Sequence, residues 1–166
     1  MIAGTTHAES GLSKTVWSDA DFDEMEWHQV TIHGLCVQPG AADGALPRLM
    51  LDIDYIIRWV YPVEPEKHFT FWISPATLVF EDVRDVVGDL SFTGLPLSLD
   101  IDQLRRADPQ DGEDAPHWHI EGQSFDLRFR ASGFRQYLRQ VPQHSPRLVL
   151  APDARGGIAF TETAFA

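Results

Sequence analysis

The chain lacks the features that mark secreted and membrane proteins. Its 166 residues include a single cysteine, Cys36, so no disulfide can form within the chain. No apolar signal core follows a basic start near Met1, and no stretch approaches the roughly 18 apolar residues of a membrane span. We therefore expect a cytoplasmic protein in a reducing compartment, with no membrane partner.

Positive charge is also scarce. Lysine and arginine together number 13 against 25 aspartates and glutamates, and the formal net charge is −12. Such a surface repels a phosphate backbone, so we expect no nucleic-acid partner. The densest basic stretch, from Arg128 to Arg139, is interrupted by apolar residues. The acidity suits either plain solubility or a protein partner with a basic surface.

The motifs of several enzyme classes are missing. The sequence has no Gly-x-Ser-x-Gly elbow and no glycine-rich phosphate loop. Cys36 lies in an apolar run without a neighbouring base, which is a poor setting for a nucleophile. These absences favour a protein that is not an enzyme and leave the question of an activity open.

Apolar residues, by contrast, are plentiful. Hydrophobic residues make up 43% of the chain, including five tryptophans and ten phenylalanines. This content supports one domain over residues 1–166 with a substantial core. Residues 1–16 are small and polar and are expected to form a loose tail. The Ser18-Asp-Ala-Asp21 sequence then predicts the start of a short helix.

Most of the remaining chain alternates with a period of two. Residues 49–60 show this best, because one face would carry Leu51 and Ile53 while the other carries Asp52 and Asp54. This is the pattern of an antiparallel strand with one solvated face. Similar strands are expected at 69–73, 76–83 and 97–102, with a break at Pro75.

Residues 132–141 are expected to form a short helix, and 148–150 and 158–160 a closing hairpin across 152–157. The fold class predicted is mainly β. We expect an antiparallel sandwich or barrel-like sheet of about eight or nine strands, with one or two short helices.

One hairpin can be predicted in register. If Gly122-Gln123 is a two-residue turn, every apolar residue of the two flanking strands lies opposite another apolar residue. The cross-strand pairs expected are Ile120–Phe125, Trp118–Leu127, His119–Asp126 and His117–Arg128.

The tetrapeptide Leu-Asp-Ile-Asp occurs twice, at 51–54 and 99–102. The similarity continues into the strands that follow, over 49–83 and 97–131. Two interpretations stay open: a fold built from two repeated three-strand units, or a chance likeness between alternating strands.

The paired aspartates are the first binding candidates. Asp52 and Asp54 would share one strand face, and Asp100 and Asp102 another. On adjacent strands, these four carboxylates would suit a hard cation such as Mg²⁺ or Ca²⁺. The alternative is that they are the solvent face of amphipathic strands, and we favour it, predicting no bound metal and no cofactor.

The other binding candidates are aromatic or imidazole side chains. His117 and His119 would share a strand face, and His28 and His33 come from another segment. Zinc or iron sites use such histidines with a carboxylate, but no spaced motif completes a ligand set here. Trp72 falls opposite Phe69 and Phe71, so it would cover a second packing face or a partner surface.

Three segments carry a resemblance to other proteins: Trp27-His28-x4-His33-Gly34, Leu51-Asp-Ile-Asp54-Tyr55 with Trp59, and Phe71-Trp72-x2-Pro75-Ala-Thr-Leu-Val-Phe80. Together they resemble a family of uncharacterised bacterial proteins, to which no established activity attaches. In its acidity and alternating strands, the chain is also similar to small immunity proteins that neutralise bacterial toxins. That architectural similarity implies binding to a protein and carries no site residues across.

These observations predict a cytoplasmic protein that acts by binding a protein partner rather than by catalysis. The alternative is a metal-dependent enzyme or metal-binding protein that uses histidines and aspartates on strand faces. Assembly into a homo-oligomer through exposed edge strands also stays open.

Overall fold

Ten antiparallel strands form one open sheet in the computed structural model, which describes residues 9–94 and 96–166. The strands are β1 (Val16–Ser18), β2 (Thr31–Gln38), β3 (Arg48–Val60), β4 (Thr70–Glu81), β5 (Arg84–Leu90), β6 (Leu99–Ala107), β7 (His117–Gly122), β8 (Phe125–Arg130), β9 (Gly133–Leu138) and β10 (Gln143–Ser145). The prediction of a mainly β, antiparallel fold is confirmed.

Two short helices lie wholly within the described residues. A 3₁₀ helix spans Asp19–Glu24, and a single α-helical turn, α1, spans Pro152–Arg155. The predicted cap at Ser18 is confirmed, since its hydroxyl accepts the Ala20 N–H and its own N–H donates to Asp21. Of the predicted tail, residues 1–8 lie outside the described residues, and Val16 already belongs to β1.

The sheet runs in the order β1-β9-β4-β3-β2-β6-β7-β8-β5, and β10 pairs with β4 beside β9. Its two ends approach through an aromatic core. Trp118 of β7 lies 5.3 Å from Phe80 of β4 and 5.6 Å from Phe134 of β9, measured between ring centroids. Phe129 of β8 lies 4.8 Å from the Phe80 ring. Edge-to-face contacts of this kind each add about 0.5–1.5 kcal/mol to the burial of the rings.

Both faces of β3 are buried, so the predicted solvent face of this strand is wrong. Leu51 and Ile53 point into the aromatic core, and Asp52 and Asp54 on the opposite face have no exposed surface either. The C-terminal segment, residues 146–166, covers that second face. It packs so closely that a Cβ at Gly34 of β2 would lie 3.0 Å from the Phe160 ring.

Strand β4 continues through Pro75 instead of breaking there. Residues 76–81 of β4 pair with β9, and residues 71–73 pair with β10. Pro75 lies at the junction, where its carbonyl accepts the Arg139 N–H at 2.9 Å. In a β-strand, the N–H and the carbonyl of one residue point to the same side. The N–H that Pro75 lacks would therefore point into the gap between β9 and β10, the two partner strands of β4.

Two expected elements near the C-terminus are wrong. The predicted helix over 132–141 is mostly β9, because its buried residues Phe134, Gln136 and Leu138 alternate with a period of two. The predicted hairpin of 148–150 with 158–160 does not form. These residues cross the sheet without joining it, and α1 occupies the place expected for the turn.

The hairpin of β7 and β8 forms with a different turn. The pairs are His117–Arg130, Trp118–Phe129, His119–Arg128, Ile120–Leu127 and Glu121–Asp126, which places Gln123-Ser124 in the turn. The faces are as predicted, but the register is shifted by two residues. Gly122 lies inside β7, where a Cβ would overlap the Asp100 carbonyl oxygen and the Phe125 ring. Close packing, rather than the turn, requires glycine there.

The two similar segments differ in their strands. Residues 97–131 contain three strands, β6 to β8, whereas 49–83 contain the two long strands β3 and β4. The prediction of three strands in the first segment is therefore wrong. In both segments the first strand pairs antiparallel with the next, and an origin by duplication stays a prediction.

Candidate functional site

The two Leu-Asp-Ile-Asp strands are not neighbours. Strand β2 lies between them, and Thr31 pairs with Asp54 on one side and with Asp100 on the other. The Thr31 hydroxyl donates to Asp100 Oδ1 at 2.7 Å. The four carboxylates therefore do not converge on one cation.

Asp52 is held by two arginines. Arg155 of α1 donates to it with both terminal nitrogens, Nη2 to Oδ1 at 2.7 Å and Nη1 to Oδ2 at 2.9 Å. Arg139 Nη2 adds a third bond at 2.7 Å, and the Ala159 N–H a fourth at 3.1 Å. The forked, charge-assisted geometry satisfies a carboxylate that has no exposed surface.

Asp54 continues the same network. Its Oδ1 accepts from Arg155 Nε at 3.0 Å, and its Oδ2 lies 2.8 Å from both His33 Nε2 and the Leu150 nitrogen. The β-bulge at His33 brings this ring toward β3. Burial alone raises the pKa of Asp54, but the hydrogen bonds of His33 and Leu150 and the charge of Arg155 outweigh it and leave the pKa below its usual value.

We call His33, Asp52, Asp54, Arg139 and Arg155 the buried clamp. It ties the C-terminal segment to the face of β3, because Leu150, Arg155 and Ala159 all belong to that segment. Both aspartates are fully buried and Arg155 is 3% exposed. A substrate cannot reach these carboxylates, so the clamp is a structural site rather than a binding site.

Asp100 and Asp102 lie in a more open setting. Both are half-buried, and Asp100 accepts hydrogen bonds from the hydroxyls of Thr31 and Ser98. They line a small pocket of about 190 Å³ with Gln29. His28 is nearby, but its ring nitrogen Nδ1 lies 3.1 Å from the Asp102 carbonyl oxygen rather than from a carboxylate, and its ring stacks on Trp59.

His117 and His119 share a face of β7, as predicted, but bind different carboxylates. His117 Nε2 lies 2.8 Å from Glu113, and His119 Nε2 lies 2.6 Å from Asp126. The hydrogen bond from each histidine is the main reason that the pKa of its carboxylate partner is lowered. The predicted contact of His119 with Asp126 therefore forms in spite of the shifted register, as a diagonal pair.

Trp72 covers a second packing face, as one of the two predicted alternatives had it. It is 9% exposed, and its ring stacks on His144 of β10 with centroids 5.0 Å apart. Within residues 9–94 and 96–166, no three histidine, cysteine or acidic side chains come together in a way that suits a metal ion. The predicted candidates are thus spread over separate places in the sheet.

The open sheet leaves a gap between β2 and β5. An apolar cleft of about 310 Å³, which we call the seam cleft, lies in this gap. Its apolar lining consists of Ile32, Leu35, Val86, Leu90, Leu99, Phe125 and Leu127. These residues are on the core-facing side of their strands, since β2 pairs Leu35 with Leu51 and β5 pairs Leu90 with Phe125.

Both strands at the seam cleft have a free edge among the described residues. After Ile32, β2 pairs only with β3, and β5 pairs only with β8. Their side chains are unusually exposed for apolar residues, at 48% for Leu35, 50% for Val86 and 70% for Leu90. An apolar edge strand of this kind is a site where another strand can add.

Sequence reasoning missed both β5 and the arginines of the clamp. β5 has two adjacent valines and a glycine and no clean alternation, so its pattern gave no strand signal. The helical turn that carries Arg155 did have a signal. Pro152 in its first turn and Gly156 at its C-cap, with φ of 75°, are typical helix boundaries.

Comparison with known proteins finds no match for this chain among protein-family models, curated proteins or solved structures. Separately, no helix within the described residues is long and apolar enough to span a membrane. The functional interpretation therefore depends on the geometry of the molecule itself.

Proposed function

We propose that this is a cytoplasmic, non-enzymatic protein that binds an extended segment of a protein partner as an added strand at the seam cleft. The observation that carries the proposal is the pair of free strand edges, on β2 and β5, that flank one apolar cleft. A partner strand would gain main-chain hydrogen bonds from an edge and bury alternate side chains in the cleft.

The exposed apolar residues support this position. Leu35, Val86 and Leu90 line the seam cleft, and Val37 of β2 is 61% exposed beside them. Burying one such side chain contributes roughly 1.5–3 kcal/mol. Clustered exposure of this kind is typical of interaction sites, whereas single exposed apolar residues are ordinary.

Charge favours a partner segment with basic flanks. The chain carries a net charge of −12. Lysine or arginine beside the apolar residues of the partner would be attracted by this overall negative charge, which would speed association. The architectural similarity to acidic immunity proteins agrees with a partner of this chemistry.

Selection of displayed peptides tests the proposal without a known partner. Random peptides of about ten residues, the upper length of common strands, would be selected on the wild type and counter-selected on Leu35→Lys/Leu90→Lys. We expect enriched peptides to alternate apolar residues and to carry basic flanks. A matched control is Val63→Lys, which changes a valine that is 77% exposed in the loop before β4, and it should retain the peptides.

Two outcomes would contradict the proposal. One is enrichment that the Leu35→Lys/Leu90→Lys variant does not reduce, which would place binding elsewhere. The other is a stable dimer by light scattering that Leu90→Lys dissociates, which would make a second copy the occupant of the edge. No set of ligands in the described residues favours the metal-dependent alternative, and we do not propose it.

A further inference from the structure

The face of β6, β7 and β8 opposite to the core carries charges in rows. Cross-strand pairing aligns Arg105, His119 and Arg128 in one row across the three strands. The adjacent row contains His117, Arg130 and, on β5, Arg84. Trp118 and Phe129 lie between these positions in sequence and point to the core, so the basic side chains occupy the outer face.

The carboxylates that pair with the two basic rows lie mostly outside the strip between the rows. Glu121 and Asp126 form the next row along and pair with Arg105 at 2.9 Å and with Arg128 at 3.1 Å. Glu113 comes from the loop before β7 and lies 2.8 Å from both His117 and Arg130. The strip between the basic rows is therefore flanked by cationic side chains on both sides.

A cleft of about 500 Å³, which we call the outer cleft, lies on this strip. The basic residues whose strand positions face it are Arg105, Arg128, Arg130, His117 and His119, whereas Arg106 borders it but places its guanidinium over the Phe22 and Trp118 rings on the core side. Only two carboxylates, Asp85 and Glu113, line it with them. Three of the 13 lysines and arginines, Arg105, Arg128 and Arg130, thus gather at one cleft of a chain whose net charge is −12.

Two guanidinium groups at the outer cleft keep donors free. Arg128 uses Nε for Asp126, and among the described residues its terminal nitrogens have no partner. Arg105 contacts Glu121 through Nη1 alone. The side chains of Arg105 and Arg128 are 51% and 66% exposed. They stand on strands that flank β7, about 10 Å apart at the backbone, with His119 between them.

We propose that the outer cleft binds a small phosphate-bearing anion, such as a diphosphate group, between Arg105 and Arg128. Two arginine forks on opposite sides suit the several oxygens of a diphosphate, which accept bidentate hydrogen bonds. The ligand is small because the acidity of the remaining surface repels an extended polyanion. The outer cleft lies on the face opposite to the seam cleft, so this site is separate from the proposed partner site.

Titration calorimetry with pyrophosphate tests the site on the full chain at low salt. We expect saturable binding of one pyrophosphate per chain, weaker binding of inorganic phosphate and citrate, and affinity that falls as salt is added. Arg105→Gln and Arg128→Gln should each lower the affinity about tenfold or more, because glutamine keeps much of the stem but loses the charge. Arg135→Gln is the matched control, since Arg135 is exposed on β9 and does not line the outer cleft.

Amide chemical shifts locate the bound anion. Pyrophosphate should perturb the amide signals of Arg105, His119 and Arg128, while leaving those of β2 and β9 in place. The site is ruled out if none of the three anions binds saturably, or if Arg128→Gln and Arg135→Gln bind pyrophosphate equally. Tighter binding of citrate than of pyrophosphate would overturn the assignment to a phosphate group.

Discussion

The two copies of Leu-Asp-Ile-Asp differ in almost everything except their sequence. In the first copy, Asp52 and Asp54 are fully buried and held by arginines of the C-terminal half. In the second copy, Asp100 and Asp102 are half-buried, and hydroxyl groups are the side-chain donors to Asp100. The same tetrapeptide therefore anchors the C-terminal segment in β3 and forms a polar surface in β6.

The difference arises from what covers each strand. β3 lies in the middle of the sheet, with residues 146–166 across its aspartate face. β6 lies where the sheet opens away from β2, and the pairing of these two strands involves only two residues of β2. Buried carboxylates require paired cations, whereas solvated ones do not. The aspartates of β3 therefore require the arginines of the clamp, because the C-terminal segment buries them.

The largest predicted effect comes from removing one carboxylate of the clamp. Asp52→Asn removes the carboxylate paired with Arg139 and leaves Arg155 with Asp54 alone, and it should lower the free energy of unfolding by about 3–5 kcal/mol. Asp100→Asn is the matched change in the second copy and should lower it by about 1 kcal/mol or less. Urea unfolding followed by tryptophan fluorescence measures both. Equal losses in the two variants would contradict the comparison.

A double-mutant cycle tests whether the clamp acts as one unit. Asp52→Asn and Arg155→Gln should each destabilise the protein, but the double variant should lose less than the sum of the two. We expect a coupling energy of about 1–3 kcal/mol, because the residues share two hydrogen bonds in a buried network. The pair Asp100→Asn and Arg139→Gln, which does not share a bond, should be additive.

The pH dependence of stability should single out Asp54. Its pKa is lowered in the folded protein, so it stabilises the fold above its unfolded pKa of about 4, and this contribution disappears as the pH falls through the folded pKa. Unfolding measured from neutral pH down to strong acid should thus show a shallower loss for Asp54→Asn than for the wild type.

Other carboxylates with lowered pKa values, including Glu113 and Asp126, contribute to the same acid limb. They pair on the outer face of the sheet, so about 1 M salt should screen them more than it screens the buried Asp54. The interpretation fails if Asp54→Asn and the wild type lose stability in parallel at high salt.

The smallest predicted effect belongs to the second copy. Thr31→Val removes the hydroxyl that donates to Asp100 and nearly preserves the volume of the side chain. Because Ser98 and solvent still satisfy Asp100, we expect a loss of about 1 kcal/mol or less in the free energy of unfolding. A loss as large as that of Asp52→Asn would mean that Thr31 is part of the clamp.

Local signals were sufficient for several features of the fold. Alternation over 49–60 predicted an antiparallel strand and its core face, with Leu51 and Ile53 inward. The cap at Ser18 was also predicted correctly, since a capping box involves residues only three apart. Such features depend on neighbouring residues in the chain, and their physical causes are therefore visible in the sequence.

Features that depend on distant residues were mispredicted. Gly122 suggested a turn, but its real constraint is the Asp100 carbonyl, contributed by a different strand. The apolar residues of 132–141 have a spacing that is compatible with a helix. The segment is mostly a strand because it pairs with β1 on one side and β4 on the other. The seam cleft could not be predicted, because it exists only where β2 and β5 fail to pair.

The sequence by itself determined an acidic, antiparallel β protein with an aromatic core, because strand period and apolar content act locally. The tertiary structure alone decided the roles of the four aspartates. Asp52 and Asp54 became an ion-paired anchor because a segment about 100 residues later in the chain lies over them and brings Arg155. Asp100 and Asp102 stayed partly solvated because no such segment covers β6 within residues 9–94 and 96–166, and burial is what makes a carboxylate depend on its partners.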